Sequence, residues 1–72
     1  MKFYKNTEFP KQDKFCFDIS VEVIMSDENC KLEIGYYNFL NEKWYVDNHK
    51  HNLDLDNFVW WYPPNDIDKQ FK

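Results

Sequence analysis

Residues 15–40 read FCFDISVEVIM, then SDENC, then KLEIGYYNFL. In the first block Phe15, Phe17, Ile19, Val21, Val23 and Met25 alternate with Cys16, Asp18, Ser20 and Glu22. Successive side chains of a strand point to opposite faces, so this period of two, enriched in β-branched residues, predicts a half-buried strand over 15–25. The third block alternates again, with Leu32, Ile34 and Tyr36 set against Lys31, Glu33 and Gly35. The polar segment between them is a turn, so the two strands are expected to form an antiparallel hairpin. Placing both apolar sets on one face gives a register of Met25 with Leu32, Val23 with Ile34 and Val21 with Tyr36. Phe15, Phe17 and Tyr36 then belong to the buried face. Gly35 falls on the polar face, where a bulge or a close aromatic neighbour is the usual reason for a strand glycine. In this register Cys30 lies in the turn and Cys16 lies about nine residues away along the first strand, roughly 30 Å at 3.3 Å per residue. A disulfide needs Cα atoms within about 7 Å, so no Cys16–Cys30 bridge is expected.

Working outward, residues 41–43 form a short polar turn, and Trp44, Tyr45 and Val46 begin a third strand that pairs with the Tyr36–Phe39 stretch. Residues 47–57 are polar and charged and read as a loop or an irregular excursion. Phe58 to Tyr62, FVWWY, is a fourth strand with aromatics on both faces, ended by Pro63 and Pro64. Residues 1–14 read as an extended N-terminal arm, with Pro10 biasing Phe9 toward an extended backbone and Phe3, Tyr4 and Phe9 pinning the arm to the body. Residues 65–72 read as a flexible polar tail. No segment carries helix caps together with a 3.6-residue period. The expectation is an all-β fold spanning residues 1–72 as a single domain. It is a small four-stranded antiparallel meander, twisted or partly barrel-like, with the N-terminal arm appended.

Composition narrows the function classes. Seventy-two residues make one domain at most, too short for a doubly wound nucleotide fold or a barrel enzyme. Seven Phe, five Tyr and three Trp make up 21% of the chain, too many for a disordered tail. The net charge of −4, with Lys as the only basic type besides His, argues against nucleic acid as a partner, because phosphate binding needs clustered positive charge. No apolar run approaches the roughly 20 residues of a membrane-spanning helix. The first ten residues carry charges and no apolar leader. Two cysteines are fewer than a small secreted scaffold carries. A small acidic cytoplasmic protein with reduced thiols and no membrane association is therefore expected.

Several groupings carry potential chemistry. His49 and His51 form an H-x-H pair flanked by Asp47, Asp54 and Asp56. Alternate residues of a strand share a face, so two imidazoles there could share a zinc ion, although a solvated loop that holds two His is the commoner case. They are weak metal candidates, and no metal or other cofactor is expected. The D-L-D-N segment at 54–57 lacks the glycine and distal Glu of a calcium loop. Thr7, Ser20, Ser26, Cys16 and Cys30 are the available nucleophiles, and nothing in the sequence sets a base beside any of them. Gly35 is the only glycine, so there is no phosphate-cradling loop. An enzyme is not expected. The aromatic excess is the stronger lead. Neighbouring residues of a strand face opposite sides, so Tyr36 and Tyr37, and likewise Trp60 and Trp61, cannot both point inward in a one-layer sheet. Part of the aromatic surplus is surface, and Tyr and Trp are favoured anchors of protein interfaces. The partner-binding candidates are Tyr37, Tyr45, Trp60, Trp61 and Tyr62. They would serve a partner protein or self-association as a homodimer. A ring platform of this kind would alternatively sequester a small nucleotide-type ligand.

The phrases Glu8-Phe9-Pro10-Lys11, VEVIM at 21–25, IGYY at 34–37, WYV at 44–46 and VWWYPP at 59–64 together resemble the small phage and prophage proteins grouped as domain of unknown function 551. That family reads as a Leu-Pro phrase, a VLV strand, a strand with a Tyr pair, a Trp, and a terminal V-x-W-x-P-x-P. The likeness covers roughly residues 8–64 and is most specific at Trp61-Tyr62-Pro63. Phe9 stands where the family often has Leu, and Pro64 follows Pro63 without a spacer. The family has no established catalytic residues to carry over. The resemblance implies a viral, phage-type accessory protein that engages or inhibits a host protein, such as one of a defence system, in the host cytoplasm.

Overall fold

The computed structural model describes residues 2–64. The tail expected at 65–72 lies outside them. Five strands form one open antiparallel sheet: β1 (Tyr4–Lys5), β2 (Val23–Asp27), β3 (Leu32–Asn38), β4 (Lys43–Val46) and β5 (Phe58–Trp61). Their spatial order is β1-β5-β2-β3-β4. The all-β class follows from the alternation, and no helix occurs among the described residues.

Within that class, two features of the chain path differ from the sequence expectation. The N-terminal arm supplies a fifth, edge strand, pairing Tyr4 with Trp60 and Lys5 with Val59. The last strand does not extend the meander beyond β4. It returns to lie between β1 and β2, with Ile24 opposite Trp61 and Met25 opposite Trp60. Residues 47–57 make that return. Their composition reads as a solvated loop, yet Leu53 is buried and Leu55 packs against the same cluster as Val23, Met25, Phe58 and Trp60. Two leucines in a polar segment are enough to lay it over one face of the sheet.

The strand expected over 15–25 begins only at Val23. Upstream the chain makes a narrow excursion held by isolated bridges from Gln12 to Ser20 and from Ile19 to Asn38. The Asp13 carboxylate accepts from the backbone N–H groups of Phe15 (2.7 Å) and Cys16 (3.2 Å), a local turn that competes with strand pairing. Phe15 and Phe17, expected in the buried face, are 90% and 66% exposed. Ser20, expected on the polar face, is buried. Its hydroxyl accepts from the Tyr37 N–H (2.9 Å) and donates to the Val21 carbonyl (2.8 Å).

The hairpin itself is real, but its register is displaced by one residue. Val23 pairs with Gly35, Ile24 with Ile34, Met25 with Glu33 and Ser26 with Leu32. A one-residue slip exchanges the two faces of a strand. Gly35 and Tyr37 therefore turn to the core beside Val23 and Met25, while Leu32, Ile34 and Tyr36 turn away from it. Gly35 is the physical reason. A Cβ there would collide with the Tyr45 carbonyl oxygen and stand 2.7 Å from the Met25 sulfur. The missing side chain makes the space that Met25 fills, and Met25 is fully buried.

The β2–β3 turn fits the same register. The Cys30 N–H donates to the Asp27 carbonyl (3.0 Å), and Cys30 takes a left-handed φ of 61°. This is the pattern of a tight turn closed by a left-handed residue. The Asp27 carboxylate accepts from the backbone N–H groups of Asn29 (2.9 Å), Lys31 (3.4 Å) and Asp54 (3.2 Å), tying the turn to the returning segment.

The core is aromatic at its centre. Trp60 is 1% exposed, and its indole N–H is shared between the carbonyls of Lys5 (3.0 Å) and Glu8 (2.9 Å). Tyr4 stacks on it at 4.4 Å, and Phe9 lies 4.4 Å from Tyr37. These contacts pin the N-terminal arm to the body, as the placement of its aromatics suggests.

Candidate docking face of the sheet

One face of the sheet is covered by the arm and the 47–57 segment. The other is bare and apolar. The observed registers align Trp61, Ile24 and Ile34 in a row across β5, β2 and β3, and Phe3, just before β1, extends it. Phe3 meets Trp61 edge to face at 5.1 Å, and Tyr36 stacks on Tyr45 at 5.5 Å in the next row. Val59 and Leu32 lie in the row on the other side, each opposite Ser26. Leu32 is 65% exposed and Ile34 51%, with Phe3, Val59 and Tyr45 also exposed and Ile24, Tyr36 and Trp61 half-buried. Isolated exposed apolar residues are ordinary, but eight on one sheet face form a contiguous patch of the kind that marks an interaction surface.

At one corner the face dips into a depression of about 490 Å³ lined by Ile24, Leu32, Glu33, Ile34, Asp47 and Asn48. Its floor is aliphatic and its rim is acidic. Asn48 donates to Glu33 across the rim at 3.5 Å. The Glu22 carboxyl is held above the usual carboxylate range, first by a side-chain hydrogen bond with Asp47, then by partial burial and by the negative charge of Asp47.

The five residues expected to bind a partner divide between the two faces. Tyr45 and Trp61 lie on the bare face. Tyr37 and Trp60 are core residues, 6% and 1% exposed, and have no surface to offer a partner. Tyr62 is half-buried on the core side, with ring contacts to Trp60 and Tyr4, and its hydroxyl accepts from the Lys11 N–H (3.0 Å). The face also contains Phe3, Ile24, Leu32, Ile34 and Val59, which the sequence reading placed in the core or left unassigned. The signal for them was Gly35: assigning the lone glycine to the packed face would have turned Leu32 and Ile34 outward.

The other candidates are spread apart. His51 is half-buried, and its Nδ1 accepts from the Leu53 N–H (3.1 Å), which fixes the ring as part of a turn. His49 is exposed. Among the described residues no three His, Cys, Asp or Glu side chains come together as a metal site. Ser20 and Ser26 both spend their hydroxyls on backbone carbonyls, and Cys16 and Cys30 are free and exposed thiols. No helix of the described residues is long and apolar enough to cross a membrane.

Comparison with protein-family models, with curated proteins and with solved structures returned no match. The resemblance to domain of unknown function 551 accordingly stands on the quoted motifs alone.

Proposed function

We propose that this chain is a non-catalytic binding module that docks a protein through the bare face of its sheet. The observation that carries the reading is the apolar row Phe3, Trp61, Ile24 and Ile34, which no other part of residues 2–64 covers. Tyr and Trp anchors within an apolar centre, surrounded by polar residues, follow the anatomy of a protein interface. The depression at its corner is open and acid-rimmed, a poor receptor for a free nucleotide, whose phosphates repel carboxylates. The notion of a phage-type accessory protein acting on a host protein rests on the family resemblance and names a setting for this docking.

Site-specific photo-crosslinking tests the proposal. A benzophenone side chain at Tyr45, on the bare face, is expected to form discrete protein adducts in cells that carry the protein. The same group at exposed Asn52, in the segment covering the opposite face, is expected not to form them. The Tyr45 adducts should disappear when Trp61→Asp is added. Adducts that ignore Trp61→Asp, or none at all, would contradict the reading.

A further inference from the structure

We propose that the occupant of the bare face is a second copy of this chain, stacked sheet against sheet about a twofold axis. The inference rests on the docking-face reading above and names its partner.

Three observations favour a copy over an unrelated protein. The first is self-complementarity. β2 is the middle strand of five, and Ile24 is its outward residue in the apolar row. A twofold axis along β2 exchanges β5 with β3. It lays Trp61 of each copy over Ile34 of the other and leaves Ile24 at the axis, so an apolar row meets an apolar row. In the next row it sets Val59 against Leu32. Two antiparallel sheets packed this way make a sandwich about 10 Å between layers, an ordinary way to bury such a face.

The second observation is charge. Lys5 sits on the outward side of edge strand β1, and Asp47 follows edge strand β4 on the other margin of the same face. The same axis exchanges these margins, so each Lys5 approaches the acidic margin of the other copy. Complementary charge at a rim steers two surfaces into one orientation.

The third is area. The eight outward side chains leave on the order of 600 Å² of mostly apolar surface, so a pair would bury about 1,200 Å², the lower end of a stable specific interface. A chain of this length also gains from the added core, since small domains bury a low fraction of their surface alone.

Sedimentation equilibrium from about 1 μM to about 1 mM spans the affinities expected of such an interface. The full chain is expected to pass from 9.0 kDa to twice that mass as concentration rises. Ile34→Asp, at an exposed position that leaves the core intact, is expected to weaken association at least a hundredfold. Phe15→Asp, outside the face, is expected to leave it unchanged. A full chain that stays monomeric throughout overturns the inference, and Tyr45 crosslinks to a different protein would then leave the docking-face reading standing. A dimer that persists in Ile34→Asp while folding is retained overturns it as well, because association then uses another surface.

Discussion

Gly35 is the residue on which the two faces of the sheet turn. Its absent Cβ is what lets Met25 pack beneath β3. Gly35→Ala should lower stability by about 1–3 kcal/mol, the usual range for overfilling a packed site, measured by urea unfolding. Asp27 has the other residue-scale role. Desolvation raises its pKa, but the backbone N–H groups of Asp54, Lys31 and Asn29 and the charge of Lys31 outweigh it, and the carboxyl lies below its ordinary value. A carboxylate with a depressed folded-state pKa contributes stability that is fully present above the unfolded value, about 3.9, and is lost as pH falls through the lower folded value. Asp27→Asn should therefore be less stable than the parent at neutral pH, with the difference shrinking below about pH 4. A difference independent of pH would refute the ionised role. Glu22 works in the opposite sense. Its raised pKa favours the folded state at low pH and opposes it as the group ionises. Glu22→Gln should narrow the loss of stability on going from acid to neutral pH.

At the scale of elements, the hairpin turns carry strain that sequence rules place on glycine. Cys30 at φ 61° and Glu42 at φ 57° both occupy the left-handed region. Replacing Cys30 by Gly should stabilise the domain by about 1 kcal/mol, several degrees in melting temperature for a chain this size. The excursion before β2 yields a contrasting expectation. Phe15→Ser and Phe17→Ser should each change stability by no more than about 0.5 kcal/mol, because both rings already stand in solvent. A large loss at either would restore the long strand that alternation predicts. Alternation made the all-β class, the β2–β3 hairpin and the β3–β4 pairing legible. It could not reveal where the first strand starts, because Asp13 bends the backbone with its own carboxylate while preserving the period of two. Nor could it choose the register. Both faces of β3 offer apolar residues, so the decision passed to Gly35 and to a turn whose left-handed residue is a cysteine. The return of β5 to β2 was hidden for a related reason, since Leu53 and Leu55 are a faint apolar signal within eleven mostly polar positions.

For the whole molecule, the result is a one-layer sheet with a full core on one side only. Among the described residues six hydrophobic side chains are buried, and Trp60 holds arm, sheet and returning segment together. Trp60→Ala should cost about 3–5 kcal/mol, enough to unfold a domain of marginal stability. If a second copy covers the bare face, melting temperature should rise with protein concentration, since association is linked to folding. The candidate site was half legible: neighbouring aromatics must face opposite ways, which placed Tyr45 and Trp61 among the candidates, whereas the aliphatic half of the face depended on the unseen register. Ile34 points away from the core, into the docking face. The most direct test is the proton–nitrogen correlation spectrum of Ile34→Asp beside that of the parent at matched dilution. A dispersed, folded spectrum is expected, with shifts changed mainly at Phe3, Ile24, Leu32, Trp61 and their immediate neighbours. Collapse to the narrow dispersion of an unfolded chain would place Ile34 in the core and contradict it.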